Sequence, residues 1–296
     1  MARFKLTIEY AGTRYSGWQI QQNARTVQGE IDRAVREVSG RTDFELYGSG
    51  RTDAGVHALF QVAHLDVFTR LPAESLRRQL NDLLPADINI LTAEPAPHRF
   101  HARHDAVARS YLYQIATRRT AFAKPFVWWV KEPLDVAAMR EAAAAFVGMR
   151  DFHAFTEQPV THASTLVLVE GITIQPDGDL LLVRVEGSHF LWRMVRRLVG
   201  VLAEVGRGGL APGATAGLLT APGGLPARLT APASGLFLER VFYEGDVRQL
   251  PLRPVFNMPV HPAPEPGSRA ASAPAPAPAP PPRHRPPGAR SRHRRR

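Results

Sequence analysis

Cysteine is absent from the 296-residue chain. This absence excludes disulfide bonds, thiolate metal ligands and cysteine nucleophiles, and it fits a reducing compartment, so we predict a cytoplasmic protein. No apolar run reaches the length of a membrane span, and residues 1–10 alternate apolar and polar side chains instead of forming a signal-peptide core. We therefore expect no membrane association.

Two common nucleotide-binding motifs are also missing. A P-loop requires Gly-Lys followed by Ser or Thr, and the chain contains no such run. Gly48, Gly50 and Gly55 do not form a dinucleotide fingerprint, because the third glycine comes two places too late. Phosphate binding of either common kind is therefore not expected.

Positive charge is present but unevenly distributed. The net charge is +10, and residues 261–296 supply seven of these charges through eight arginines and one glutamate. Alanine and proline alternate from Ala273 to Pro280, a composition that buries too little apolar surface to fold. We predict a disordered basic tail over residues 251–296. It either attracts nucleic acid without sequence preference or is a solvated segment with no required role.

One loop combines glycine with an acid and a base. The segment GSGRTDAGVH, from Gly48 to His57, lies between two apolar runs that predict strands. Glycine lets a ligand approach the backbone closely. On such a loop the Asp53 carboxylate, which is ionised at neutral pH, can act as a nucleophile without a separate base, and Arg51 can reach a phosphate or a vacated base site. In a second interpretation Asp53 only forms a turn.

The apolar periodicity predicts an α+β fold. Up to Leu91 the expected order is strand, helix, strand, strand, helix, strand, as in a ferredoxin-like unit. The first helix is bounded by Thr26 as N-cap and Gly40 as stop. The second half repeats this order less clearly. We therefore predict two lobes, residues 1–105 and 106–250, arranged with pseudo-symmetry around a central cleft.

Three further groups of side chains allow two interpretations each. The aromatics Tyr10, Tyr15 and Trp18 can stack on bases or anchor their loop on the core. His98, His101 and His104, with Asp105, suggest a metal site, but their spacing does not favour one, and we predict none. The third group can bind RNA or form a solvated strand face, and it comprises Arg99, Arg103 and Arg109 with Phe100, Tyr111 and Tyr113.

An apolar helical stripe has arginines beside it. The stripe comprises Leu191, Met194, Val195, Leu198 and Leu202, and the arginines are Arg193, Arg196 and Arg197. A guanidinium is well shaped to bind a carboxylate with two hydrogen bonds. If Arg196 meets Asp53 in the cleft, it holds that acid in its ionised form. Alone, it is an ordinary surface arginine.

Seven stretches, in this order, resemble one family, the tRNA pseudouridine synthase A family. They are EYAGTRYSGWQIQ from Glu9, GSGRTDAGVHALFQVAH from Gly48, NDLLPADI from Asn81, FHARHDAVARSYLY from Phe100, DFHAF from Asp151, SHFLWRMVRRLVG from Ser188 and APASGLFLERV from Ala231. The GRTDAGVH stretch is highly specific.

The resemblance implies two ferredoxin-like (RRM-like) lobes forming a mixed sheet around a basic cleft, and a homodimer. It implies a tRNA substrate and isomerisation of uridine to pseudouridine at positions 38, 39 and 40 of the anticodon stem-loop. Because this reaction oxidises nothing and adds nothing, it requires no cofactor and no metal. The sequence does not decide whether the aspartate attacks the sugar or the uracil ring.

The resemblance also implies roles for single residues. Asp53 corresponds to the catalytic aspartate and Arg196 to the arginine that pairs with it. Tyr111 corresponds to the tyrosine that packs on the target uracil and is the candidate for the last proton abstraction. Arg51 corresponds to the arginine that fills the gap left by the flipped base. Further substrate contacts are expected from Arg103 and Arg109.

The chain departs from the family pattern after DFHAF, where an Arg-Thr pair is usual and Thr161 to Leu166 contains no arginine. The departure puts one RNA or intra-lobe contact in doubt, not the chemistry. A non-catalytic RNA-binding protein on the same fold is the alternative function.

Overall fold

The first helix forms as its sequence signals predict. Helix α1 (Val27–Ser39) begins after Thr26, whose Oγ1 accepts a hydrogen bond from the Gly29 N–H at 3.2 Å. It ends at Gly40, whose φ of 64° is readily adopted only by glycine. The fully buried Ile31 side chain on its inner face stabilises the fold by about 1.5–3 kcal/mol.

The computed structural model describes residues 1–157, 164–220 and 224–258. Its strands are β1 (Ala2–Tyr10), β2 (Glu45–Gly48), β3 (His57–Val67), β4 (Ile88–Ala96), β5 (Ala106–Ala116), β6 (Trp128–Trp129), β7 (Gly148–Asp151), β8 (Leu166–Asp177), β9 (Leu180–Gly187) and β10 (Leu236–Tyr243). The remaining helices are α2 (Ala73–Leu83), α3 (Val136–Ala144), α4 (Met194–Gly206) and the short α5 (Leu225–Arg228). The predicted α+β class is confirmed.

The strands form one mixed sheet in the order β4-β1-β3-β10-β5-β9-β8-β7, with β2 beside β3 and β6 beside β5. Most neighbours are antiparallel, whereas β10 runs parallel to β3 and β6 runs parallel to β5. The sheet therefore continues without interruption from residues of the first half of the chain to residues of the second.

Strand β3 has two different neighbours on one edge. Strand β1 pairs with residues 58–67 of β3 and so occupies the other edge. On the shared edge, β2 pairs with residues 63–66 and β10 pairs with residues 57 and 58. The chain between β2 and β3 leaves the sheet where these two neighbours diverge.

Of the three hydrophobic cores that the described residues form along the sheet, the two larger ones contain the helices. One joins β1, β3 and β4 to α1 and α2, and the other joins β5, β8 and β9 to α3 and α4. The alternation of side chains along a strand puts Tyr113 and Ile115 of β5 into the second core and Leu112 on the opposite face. Tyr111 packs against both cores.

Several boundaries differ from those predicted. Strand β4 continues to Ala96, well past Leu91, because it pairs with β1 along almost its whole length. Helix α4 begins at Met194, so Leu191 of the predicted stripe lies before the helix although it is buried in the same core. Strands β6 and β7 were not expected, because segments this short carry little periodicity.

The predicted start of the tail at residue 251 needs correction. Residues 250–258, here called the strap, have no regular secondary structure but pack on the sheet. Arg184, paired with Glu239, donates to the carbonyl of Leu250 at 2.8 Å, and the Val255 N–H donates to Gln114 Oε1 at 2.7 Å. The Phe256 ring meets Phe126 edge-on, with centroids 5.6 Å apart. Residues 259–296, the rest of the predicted tail, lie outside the described residues.

Within the three described ranges, the helices are all too short or too polar to cross a membrane.

Candidate active site

Asp53 lies on the loop between β2 and β3, residues 49–56, here called the acid loop. The loop leaves the sheet where the edge of β3 changes partner. The Val56 N–H donates to the carbonyl of Asp53 at 3.1 Å, which closes a tight turn. The Asp53 side chain keeps 21 % of its surface exposed. The turn and an accessible carboxylate thus coexist, so the two interpretations of this residue do not exclude each other.

A second loop, residues 11–18, holds the acid loop in place. The Trp18 N–H donates to the carbonyl of Thr52 at 3.1 Å, and the Tyr10 hydroxyl bonds Thr52 Oγ1 at 2.8 Å. Gly12 lies so close that a Cβ there would be 1.9 Å from the Val56 carbonyl oxygen. The two backbones can approach this closely only because that position is glycine.

The aromatic side chains of residues 10–18 are buried beneath the contact between the second loop and the acid loop. Tyr10, Tyr15 and Trp18 are between 1 % and 4 % exposed, so they are not available to stack on bases. The Tyr15 hydroxyl donates to Asp87 Oδ1 at 2.5 Å. Anchoring of the loop on the core is therefore the interpretation that the burial supports.

His57 fixes the end of the acid loop as a neutral ring. Its Nδ1 accepts the Gly12 N–H at 3.0 Å, so Nε2 carries the proton and donates to the Pro125 carbonyl at 3.0 Å. Burial lowers the pKa of His57 to about 4. A ring that is neutral and engaged at both nitrogens is a structural group, not an acid–base catalyst.

Arg196 lies in the first turn of α4 and reaches Asp53. Its Nη1 donates to Asp53 Oδ2 at 3.3 Å, and its Nε donates to the Ala231 carbonyl at 2.8 Å. Both side chains are largely buried, at 16 % and 21 % exposure. The contact brings together residues 143 positions apart.

The two arginines beside Arg196 have other partners. Arg193 and the buried Arg197 both bond the Glu157 carboxylate, Arg197 at 2.6 Å. Arg193 also has a φ of 60°, a left-handed conformation that is rare outside glycine, immediately before α4. Of the three arginines beside the stripe, Arg196 is therefore the one that contacts Asp53.

Tyr111 lies on β5 with its ring partly buried. The ring meets Phe190 edge-on, with centroids 5.2 Å apart. Burial raises the pKa of Tyr111 to about 12, a shift that Arg109 opposes and the Asp53 carboxylate reinforces. The phenol is therefore protonated at neutral pH. A role as base requires that the bound substrate lower this pKa.

The three other predicted site residues differ in their surroundings. Arg109 donates to the carbonyls of Ala106, Ser188 and Arg103, at 3.0, 2.8 and 2.9 Å, so it joins the start of β5 to the end of β9. Arg51 and Arg103 have exposed side chains. The geometry thus gives Arg109 a structural role and leaves Arg51 and Arg103 accessible to a ligand.

Two of the three histidines considered as metal ligands contact each other through their rings. The rings of His101 and His104 have centroids 4.2 Å apart, and His101 Nδ1 accepts the backbone N–H of Arg103 at 3.2 Å. The His98 side chain is exposed. Across residues 1–157, 164–220 and 224–258, His, Cys, Asp and Glu side chains do not form a group of three or more able to hold a metal ion. Of the departure from the family pattern at Thr161 to Leu166, residues 161–163 lie outside the described residues.

Sequence reasoning missed the backbone groups that hold the site. The carbonyls of Ala231 and Pro232 accept hydrogen bonds from Arg196 and Tyr113 at 2.8 Å each. A carbonyl is common to every residue, so the sequence contains no signal for these contacts. The pairing of Tyr111 with Tyr113 at two-residue spacing was a usable signal, because it puts both rings on one face of the strand.

Comparison with known proteins gives this site its context. A family model described as tRNA pseudouridine synthase matches residues 6–105 and 142–244, so the protein is an isomerase. The matched ranges contain Asp53 and Arg196. Tyr111 lies between the two ranges, and the strands on either side of it, β9 and β10, lie within the second. The chain belongs to the tRNA pseudouridine synthase family.

Curated relatives match over their whole length. The protein named tRNA pseudouridine synthase A of Thermoanaerobacter sp. (strain X514) is 37 % identical over 247 residues, which cover 82 % of this chain and 100 % of the relative. That of Geotalea uraniireducens is 42 % identical over 245 residues, with the same coverage. Among solved structures, a chain of "Crystal Structure of a Cbf5-Nop10-Gar1 Complex" matches 68 % of this chain and 45 % of its own length, at 12 % identity and a TM-score of 0.31. That likeness is too low to support an inference.

Proposed function

We propose that the protein isomerises uridine to pseudouridine at positions 38, 39 and 40 of the tRNA anticodon stem-loop, with Asp53 as the nucleophile. The observation that supports this most strongly is the 3.3 Å contact between Asp53 Oδ2 and Arg196 Nη1 in a partly exposed site. A guanidinium at this distance holds and orients the carboxylate through a charge-assisted hydrogen bond to Oδ2. It leaves Oδ1 for the substrate.

The reaction requires that the target uracil lie outside the RNA helix. A stacked uridine is inaccessible to Asp53, so it must be flipped out at a cost of a few kcal/mol. The carboxylate then adds to the sugar or to the ring, and the bond between the sugar and N1 breaks. Uracil rotates and forms a bond from C5 to the sugar, and the bond to the carboxylate breaks, which restores Asp53. The C5 proton leaves and N1 gains a proton. Substrate and product have the same atoms, so no oxidant or reductant takes part.

Tyr111 and the exposed arginines complete this proposal. The Tyr111 ring packs on the flipped uracil, and its hydroxyl is protonated in the free protein. It gives up this proton, which balances the one that N1 of uracil gains, before its oxygen accepts the C5 proton. Arg51, two residues before Asp53, occupies the space that the uridine leaves. Arg103 binds phosphate, since exposed guanidinium groups pair well with phosphate oxygens. Arg109 supports the substrate site through its three carbonyl contacts.

We also propose that the sheet is divided into two ferredoxin-like lobes around a basic cleft. In the first half of the chain the sheet order is β4-β1-β3-β2, and in the second half it is β10-β5-β9-β8. Numbered within each half, with the short strands β6 and β7 left out, both orders are 4-1-3-2. This repetition supports pseudo-symmetry, with the acid loop at the junction of the two halves.

We further propose that the protein is a homodimer and acts in the cytoplasm. A homodimer is inferred from the family resemblance alone. A cytoplasmic location is inferred from the absence of cysteine and from a tRNA substrate.

The proposal is tested by tritium release from tRNA labelled at C5 of uracil. Wild-type protein should release tritium, and Asp53→Asn should release none while still binding tRNA, because the amide keeps the shape and loses the nucleophilic charge. Asp82→Asn, an exposed aspartate on α2, is the matched control and should behave as wild type. Transcripts with a single labelled uridine at position 38, 39 or 40 test the site.

Release by Asp53→Asn at the wild-type rate would remove this residue from the chemistry. Binding of tRNA without release by the wild-type protein would favour the alternative, a non-catalytic RNA-binding protein.

A further inference from the structure

Tyr113 is a buried tyrosine with one hydrogen bond, and it lies two residues after Tyr111 on β5. Its side chain is fully buried, and its hydroxyl donates to the Pro232 carbonyl at 2.8 Å. The ring also packs on Gly235, where a Cβ would lie 2.6 Å from the ring. The ring and the hydroxyl of Tyr113 therefore fix the segment of residues 231–235 that leads into β10.

That segment holds Arg196 from two directions. The Ala231 carbonyl accepts the Arg196 Nε–H at 2.8 Å, and the Ala231 N–H donates to the Arg196 carbonyl at 3.0 Å. The same segment touches the acid loop, because a Cβ at Gly55 would lie 3.2 Å from the Ala233 Cβ. The position of residues 231–233 therefore sets where the Arg196 guanidinium points.

A guanidinium is a rigid planar fork, so fixing one of its nitrogens fixes the others. With Nε bound to the Ala231 carbonyl, Nη1 lies 3.3 Å from Asp53 Oδ2. Displacement of that carbonyl rotates the fork and moves Nη1 relative to the carboxylate.

We propose that Tyr113 is a positioning residue for the isomerisation, which acts by holding the Ala231–Pro232 backbone and through it the orientation of Arg196 toward Asp53. The proposal rests on the proposed function, in which Asp53 is the nucleophile. Tyr113 is buried and does not touch the substrate, so its effect passes entirely through Arg196.

The test is Tyr113→Phe, which keeps the ring and removes only the hydroxyl. We expect kcat for tritium release to fall by about tenfold to hundredfold, the range that a misplacement of about 1 Å causes, with KM for tRNA unchanged. The matched control is Tyr243→Phe. Tyr243 is also buried and also donates its hydroxyl to a backbone carbonyl, that of Ala102 at 2.6 Å.

The two variants lose equivalent hydrogen bonds, so their melting temperatures should fall by similar amounts. The rates of tritium release are measured well below the lower of the two melting temperatures. A loss of kcat in Tyr113→Phe that Tyr243→Phe does not share supports positioning. An equal loss in both variants shows that the hydroxyl of Tyr113 has a structural role only.

A double-mutant cycle tests the route through Arg196. Tyr113→Phe should reduce kcat in the wild-type background and cause no further loss in an Arg196→Ala background, because its effect requires that side chain. Additive losses would overturn the proposal. An active Asp53→Asn protein would instead refute the proposed function, so the two failures are distinguishable.

Discussion

At the scale of single residues, the site depends on polar side chains with defined partners. His57 shows this most clearly, because both of its ring nitrogens are bonded to backbone groups on opposite sides. Such a residue cannot take up a proton without breaking one of these bonds. Its neutrality is therefore coupled to the folded state.

This coupling predicts acid sensitivity. The folded pKa of His57 is about 4 and the ordinary value is 6.5, so between these values the unfolded chain binds more protons. The contribution of neutral His57 to the free energy of unfolding is therefore fully present above about pH 6.5. It falls as the pH decreases toward about 4, by up to about 1.4 kcal/mol per pH unit. His57→Gln should show a smaller loss of unfolding free energy between these pH values in urea titrations.

His98→Gln is the control for this prediction, because the His98 side chain is exposed. Its pH dependence should match that of the wild type. An unchanged pH dependence in His57→Gln would show that this ring does not carry the effect.

Residue types predicted part of the site. Arginines beside an apolar stripe and an acid on a glycine loop were visible in the sequence, and the structure brings one of these arginines, Arg196, into contact with Asp53. The position of Arg109 on three carbonyls was not predictable, because a basic residue near aromatics fits phosphate binding equally well. Burial decided the role of Trp18, and burial follows from the whole fold.

At the scale of elements, the strap is the segment that the sequence described least well. Its prolines and arginine look like the start of the tail, yet Leu252, Val255 and Phe256 pack on an apolar face of the sheet that contains Leu112 and Phe237. A short irregular segment has no periodicity, so its packing is visible only once the sheet face opposite it is known. Helix α1, with its N-cap and terminal glycine, was predictable for the opposite reason.

Removal of the strap should destabilise the protein. A chain that ends at Arg248 loses the packing of the strap and both carbonyl acceptors of Arg184, so we expect its melting temperature to fall by at least about 5 °C. Differential scanning calorimetry measures this. A chain that ends at Met258 keeps the strap and should melt as the full-length protein does. Equal melting temperatures for the two truncations would show that the strap contributes nothing.

At the scale of the whole molecule, the net charge is divided unevenly between residues 1–260 and residues 261–296. Seven of the ten net positive charges come from residues 261–296. A chain that ends at Met258 should therefore bind tRNA more weakly at low salt and show a smaller slope of log affinity against log salt concentration. Its kcat should be unchanged, since the proposed catalytic residues all precede the truncation.

A full-length variant with the eight tail arginines replaced by glutamine separates charge from length. It should bind as the truncated chain does in filter-binding titrations. A slope equal to that of the wild type in both proteins would assign no RNA contact to the tail.

The pairing of β3 with β10 determines how late in synthesis the site can form. The neighbour of β3 near the acid loop, β10, is the last strand of the described chain, and their pairing joins His57 to Phe237. Protein synthesis proceeds from the N-terminus, and contacts between distant segments form late. On the ribosome, Asp53 is therefore synthesised long before Arg196 and strand β10, which complete its surroundings. Translation must therefore pass Tyr243, the last residue of β10, before the site is complete.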